Sequence, residues 1–186
     1  IGAQYNSFLE EPTVENLVKT VMANYILEGI YFYSGFMFFY NLERNGKMPG
    51  SAQEIRYINR DENTHLWLFR SIIRELMKEE AEVFTEELKE ELRQMMKIGV
   101  ENEINWGKYV IGDKIQGINS NLIESYIKYL GNRRLKEIGF EAIFEGYDEK
   151  PAKWVDILAD ANSVKTDFFE AKSTAYAKAS VLIDDL

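Results

Sequence analysis

Glu28 is the one charge inside an otherwise apolar run, Asn24-Tyr25-Ile26-Leu27-Glu28-Gly29-Ile30-Tyr31-Phe32-Tyr33-Ser34-Gly35-Phe36. A helix that is apolar nearly all round is buried on most of its sides. A carboxylate in that setting needs a partner or must keep its proton, because burying it alone is expensive. Matching groups stand further along, in Arg60-Asp61-Glu62-Asn63-Thr64-His65. Glu62 and His65 are three residues apart and therefore share a helix face, and His65 is the chain's single histidine. Two carboxylates and an imidazole are the donors that iron or manganese prefer. A blander reading stays open: a buried salt bridge or a neutral Glu28, beside a Glu-x-x-His that arose by chance. Asp61 is placed either to hydrogen-bond a metal-bound His65 or to pair with Arg60.

The elements around these residues determine whether they can meet. The three prolines, Pro12, Pro49 and Pro151, all fall at expected boundaries. The pattern predicts one long helix over 13–45, with Gly46 as a left-handed cap and Pro49 as the stop. Ser51-Ala52-Gln53-Glu54 fits a capping box opening a second helix over 51–80, with Ile55, Ile58, Leu66, Phe69, Ile73 and Leu76 at helical spacing. Glu28 lies 18 residues before Gly46 and Glu62 lies 16 after it. At about 1.5 Å per residue their heights on an antiparallel hairpin agree to within a turn. Phe32 and Phe36 follow Glu28 at i+4 and i+8, and Ile58 precedes Glu62 at i−4, so these three are candidates for dry walls beside the site, with ordinary core packing as the alternative. A carboxylate on one helix and a Glu-x-x-His on the next is half the ligand set of a ferritin-like dimetal carboxylate bundle.

Thr85-Glu86-Glu87 opens a third helix, with acidic residues at its positive end, running past Met95 and Met96 toward Trp106 and Tyr109. Glu101 and Glu103 on it are expected to be solvated or salt-bridged. Residues 112–117 form a turn, Asn119 or Ser120 caps a fourth helix ending near Gly139, and 145–151 is a loop. A last helix or tail occupies 163–186. No period-2 alternation is long enough for a strand, so the chain is expected to be a single all-α domain over 1–186.

Composition narrows the function classes. The net charge of −9, with no long basic run, argues against a nucleic-acid partner. The absence of cysteine excludes disulfides, thiolate metal sites and cysteine nucleophiles. The apolar run over 25–40, interrupted by Glu28, is too short for a membrane span, and the expected location is the cytoplasm. The start at Ile1-Gly2-Ala3-Gln4 is not a signal peptide and suggests a removed upstream segment or a fragment.

The segments Glu28 to Phe36 and Arg60 to His65 resemble the two C-terminal ligand segments of the class I ribonucleotide reductase small subunit. Tyr126-Ile127-Lys128-Tyr129-Leu130-Gly131-Asn132-Arg133-Arg134-Leu135 with Ile138-Gly139 is similar to a later helix of that family, and the likeness spans most of 17–145. The resemblance implies a ferritin-like half bundle in which Glu28, Glu62 and His65 ligate a dinuclear metal centre. Two irons are the expected pair, with manganese–iron or two manganese ions as alternatives. It implies that Asp61, with Arg60 beside it, belongs to a hydrogen-bonded radical-transfer chain, and that Phe32, Phe36 and Ile58 line the radical pocket. It also implies an oxidoreductase function, in which a one-electron oxidant is delivered to a large catalytic subunit that reduces ribonucleotides. The family further requires an N-terminal Asp or Glu, another Glu-x-x-His and usually a radical tyrosine. With one histidine, this chain lacks that set, and no radical residue is nameable in it. The expected partners are therefore an N-terminal half of the small subunit, the large subunit and a second copy of the completed small subunit. The alternative is a half-site iron-oxidising or iron-storing protein, its metal site formed between two copies.

Overall fold

Thr13 sets where the first core helix begins: its hydroxyl accepts from the Asn16 amide at 3.2 Å, capping a free N–H of the opening turn. The computed structural model describes residues 1–159 and contains seven α-helices among them: α1 Gly2–Glu10, α2 Val14–Gly29, α3 Tyr33–Arg44, α4 Pro49–Glu79, α5 Glu86–Val110, α6 Ser120–Glu137 and α7 Lys153–Ala159, with a short 3-10 turn at Ala81–Val83. No strand occurs among the described residues. The tail helix expected over 163–186 lies outside them.

The long helix expected over 13–45 is two helices. The ladder breaks at Ile30–Phe32, and Phe32 adopts a left-handed φ of 66°. Nothing in the apolar pattern marks the break, because the stripe continues across it. The second correction concerns Pro49, which opens α4 at its first turn instead of stopping the preceding helix. Proline suits that position, having no N–H to leave unsatisfied. Met48 precedes it at φ 50° with no side-chain cap, so the Ser51–Glu54 capping box is not used. Gly46, Thr85 and Asn119 behave as expected. Gly46 has φ 72°, and the Thr85 and Asn119 side chains accept from Leu88 and Leu122 amides at 3.2 and 2.8 Å.

Two antiparallel hairpins make the core. In the first, α2 and α3 run against α4: Arg56 grips both carboxylate oxygens of Glu43 at 2.6 and 3.0 Å, and Asn59 donates to the Tyr40 hydroxyl at 3.1 Å. In the second, α5 runs against α6, joined by Lys108 to Glu124 at 2.5 Å. The hairpins meet where α5 lies along α2 and α3. Glycines permit this approach: a Cβ on Gly99 would fall 2.5 Å from Ile26 Cγ2, and one on Gly107 would fall 2.9 Å from Ser34 Cβ. Between them are Val18, Met22, Tyr25, Ile26, Leu92, Met96, Val100 and Ile127, all buried, and this apolar burial is the main stabilising term. Asn132 fixes the segment after α6 by donating to Phe144 O and accepting from the Ile143 and Phe144 amides. No described helix is long and apolar enough to cross a membrane.

Candidate metal centre

Glu28 occupies the last turn of α2, and Glu62 and His65 lie mid-way along α4. The antiparallel pairing brings them together, as the residue count to the turn predicts. One ligand atom from each of the three lies within 4.8 Å of the others. His65 Nδ1 is 2.9 Å from Glu62 Oε2 and 3.8 Å from Glu28 Oε2. The two carboxylates are largely shielded, whereas the imidazole is 51% exposed.

Their electrostatics describe two carboxylates short of positive charge. Burial, then the neighbouring Glu62 carboxylate, pushes the Glu28 carboxyl up to about 7, with His65 acting in the opposite direction. The hydrogen bond to Glu62 raises His65 above its ordinary value. A divalent cation between these groups would relieve that repulsion, and two carboxylates with an imidazole suit iron or manganese. The three residues thus fit a metal. They are too few to complete the shells of two.

Other residues singled out in the sequence are placed differently. Phe32, Tyr33 and Phe36 form an aromatic cluster one turn beyond Glu28, with ring centroids 5.2 to 6.3 Å apart. Ile58, one turn before Glu62 on the same face of α4, is 45% exposed in this chain. Asp61 does not hold His65. Its carboxylate sits 3.4 Å from Arg60 on the exposed surface, Arg60 also lies over the Tyr57 ring, and Glu62 orients the imidazole instead.

Glu103 corrects a further expectation. Unlike exposed Glu101, it is buried, and it accepts from the Ser34 amide at 3.0 Å and from the Ser34 hydroxyl. Burial raises its carboxyl, against the Ser34 and Phe32 contacts that favour the charged form. Arg134 is likewise buried and bonded to Gly29 O, Tyr33 and Glu137. A signal existed for both. Glu103 continues the α5 stripe Leu92, Met96, Val100 toward Gly107, and Arg134 continues the α6 stripe Ile123, Ile127, Leu130. A charge on an apolar stripe is buried with a partner.

The family model described as "Ribonucleotide reductase, small chain" matches residues 2–151. The chain belongs to the ribonucleotide reductase small-chain family. It is 61% identical to the ribonucleoside-diphosphate reductase subunit beta of Treponema pallidum (strain Nichols), over all of this chain and 54% of that protein. It is 43% identical to the subunit of the same name from Halalkalibacterium halodurans, over 95% of this chain and 51% of that one. Among solved structures, the ribonucleotide reductase R2 subunit from Clostridium botulinum superposes with a TM-score of 0.81 at 52% identity, covering 85% of this chain and 50% of that one. The chain spans about half the length of the curated relatives it matches. Small chains of this family are dinuclear metal-centre proteins with the ferritin-like helical bundle, the fold class expected from sequence. The half-site iron-storage alternative is not favoured.

Proposed function

We propose that Glu28, Glu62 and His65 are metal ligands of a ribonucleotide reductase small subunit and that this chain is the C-terminal part of its bundle. The observation that carries this reading is the convergence of the three donor groups across the α2–α4 hairpin within 4.8 Å, in a chain of the small-chain family. When bound, a metal pair supplies one-electron oxidation. The residues of this chain bind and orient. Glu28 and Glu62 offer anionic oxygens, His65 offers a ring nitrogen, and Glu62 holds the imidazole in place. Because burial keeps a proton on Glu28 up to about pH 7, metal binding must displace that proton. Phe32 and Phe36 keep water from one flank.

The remaining ligands, an Asp or Glu and a further Glu-x-x-His, come from an N-terminal half carried by the longer protein or a companion chain. The exposed side of α4 supports this: Ile58 and Leu68, seven residues before and three after His65 on its side of the helix, are exposed, an apolar surface that a second pair of helices would cover. The completed subunit would be a cytoplasmic homodimer holding two irons, or manganese in one or both positions. It would pass its oxidant to a large catalytic subunit that reduces ribonucleotides to deoxyribonucleotides. The test is metal stoichiometry of this chain alone and together with the N-terminal half. Two metals per completed subunit, lost on His65→Ala, support the reading. A chain that binds two metals unaided, or a completed subunit indifferent to His65, overturns it.

A further inference from the structure

The break between α2 and α3 starts two residues after Glu28, at Ile30, and it is held from both sides by buried charges on other helices. In an unbroken helix Gly29 O would accept from Tyr33 N, and Ile30 O from Ser34 N. Here Tyr33 N turns to Ile30 O at 3.4 Å, while Ile26 O takes both Ile30 N and Tyr31 N at 3.0 and 3.4 Å. Gly29 O and Ser34 N are left without helical partners, and buried backbone groups do not stay that way. Gly29 O accepts from Arg134 Nε of α6 at 3.3 Å. Ser34 N donates to Glu103 Oε1 of α5 at 3.0 Å.

The signs match the helix ends. A guanidinium meets the carbonyl end of α2 and a carboxylate meets the amide end of α3, the favourable polarity for each. Arg134 is 4% exposed and Glu103 is 2% exposed. Arg134 also donates to the Tyr33 hydroxyl at 3.0 Å, so one guanidinium spans the residue before the break and the first residue after it. Glu103 has no ion-pair partner among the described residues; its contacts are Ser34 and Phe32. Leaving a carboxylate buried without a cation is costly, and every contact it has is with the start of α3. Phe32 sits at φ 66°, a conformation bulky residues adopt only when their surroundings impose it.

We propose that Arg134 and Glu103 are positioning residues for Glu28: by holding the break, they fix where the last turn of α2 aims the Glu28 carboxylate against Glu62 and His65. The inference rests on the metal reading of those three residues, but the holding of the break is testable apart from it. The variants are Glu103→Ala and Arg134→Met, with Glu103→Gln as the conservative rescue and exposed Glu101→Ala as the control on the same helix. They are made in the full-length protein and read in two ways. In metal-free protein, amide hydrogen exchange over residues 26–36 should quicken at least about 10-fold, with 14–25 unchanged. In a Mn2+ titration followed by electron paramagnetic resonance, Kd should rise about 10–100-fold, the usual effect of losing a group that orients a ligand. Glu103→Gln should recover most of both, through its remaining oxygen. If the two truncations fail to fold, Ser34→Ala removes one Glu103 contact and should move both readouts in the same direction. Unchanged exchange over 26–36 overturns the proposal, as does faster exchange with unchanged Mn2+ affinity. A Glu62→Gln control that leaves Mn2+ binding intact would sink the metal reading instead, and the exchange result would still decide whether the break is held.

Discussion

Replacing Glu28 with Gln should stabilise the metal-free protein at pH 8 and leave it nearly unchanged at pH 4. In the fold the Glu28 carboxyl is pushed up to about 7 from an ordinary value of 4.5 by burial and by Glu62. The sign follows from proton counting. Between those two pH values the folded state holds a proton that the unfolded state has lost, so stability from this group falls as pH rises and levels off above about 7. The full separation corresponds to about 3 kcal/mol. Water reaches the group, which screens the charge, and a loss of roughly 1–2 kcal/mol is expected. Gln keeps the shape and hydrogen-bonding capacity without the charge, so urea denaturation of wild type and Glu28→Gln should give superimposable curves at pH 4. At pH 8 the variant midpoint should be higher by that amount, or by a few degrees in Tm. Saturating Mn2+ should reverse the order, because wild type alone retains the ligand and gains binding energy. A stability difference independent of pH would refute the electrostatic argument, and an order unchanged by metal would remove Glu28 from the ligand set.

His65→Ala should weaken metal binding at least about 10-fold, seen as reduced occupancy by elemental analysis after dialysis. Gly29→Ala should destabilise by about 1 kcal/mol. Helix propensity favours Ala by a similar amount, but the new Cβ would fall 2.8 Å from Leu66 Cδ2 and 3.1 Å from Arg134 Nε, and overpacking of that kind costs about 1–3 kcal/mol. A more stable variant in thermal melts would show that these neighbours yield freely. Glu43→Ala should cost about 3–5 kcal/mol in urea denaturation, because it leaves the buried Arg56 guanidinium without its bidentate partner. A loss below 1 kcal/mol would mean that solvent or the Leu158 carbonyl takes over.

The all-helical class and the meeting of Glu28 with Glu62 and His65 were legible in the sequence for one physical reason. Periodicity, caps and turn glycines are local, and a hairpin turns residue separation directly into height. Gly46, Thr85 and Asn119 act on backbone groups within four residues of themselves, so their effect can be read without a partner. The fates of Ile58, Asp61, Glu103 and Arg134 were not local. Ile58 and Asp61 are exposed in this chain because Leu66 and Ile73 are the residues of α4 that pack inward. The break at Ile30–Phe32 is invisible in its own residues, whose apolar pattern would suit an unbroken helix. It exists because Arg134 and Glu103, more than sixty residues away in sequence, satisfy the carbonyl and amide that it frees. Sequence alone specified which donors could meet. Tertiary packing decided how the backbone beside them is bent, because a buried helix ladder is interrupted only where other groups supply its missing hydrogen bonds, and here those groups come from other helices.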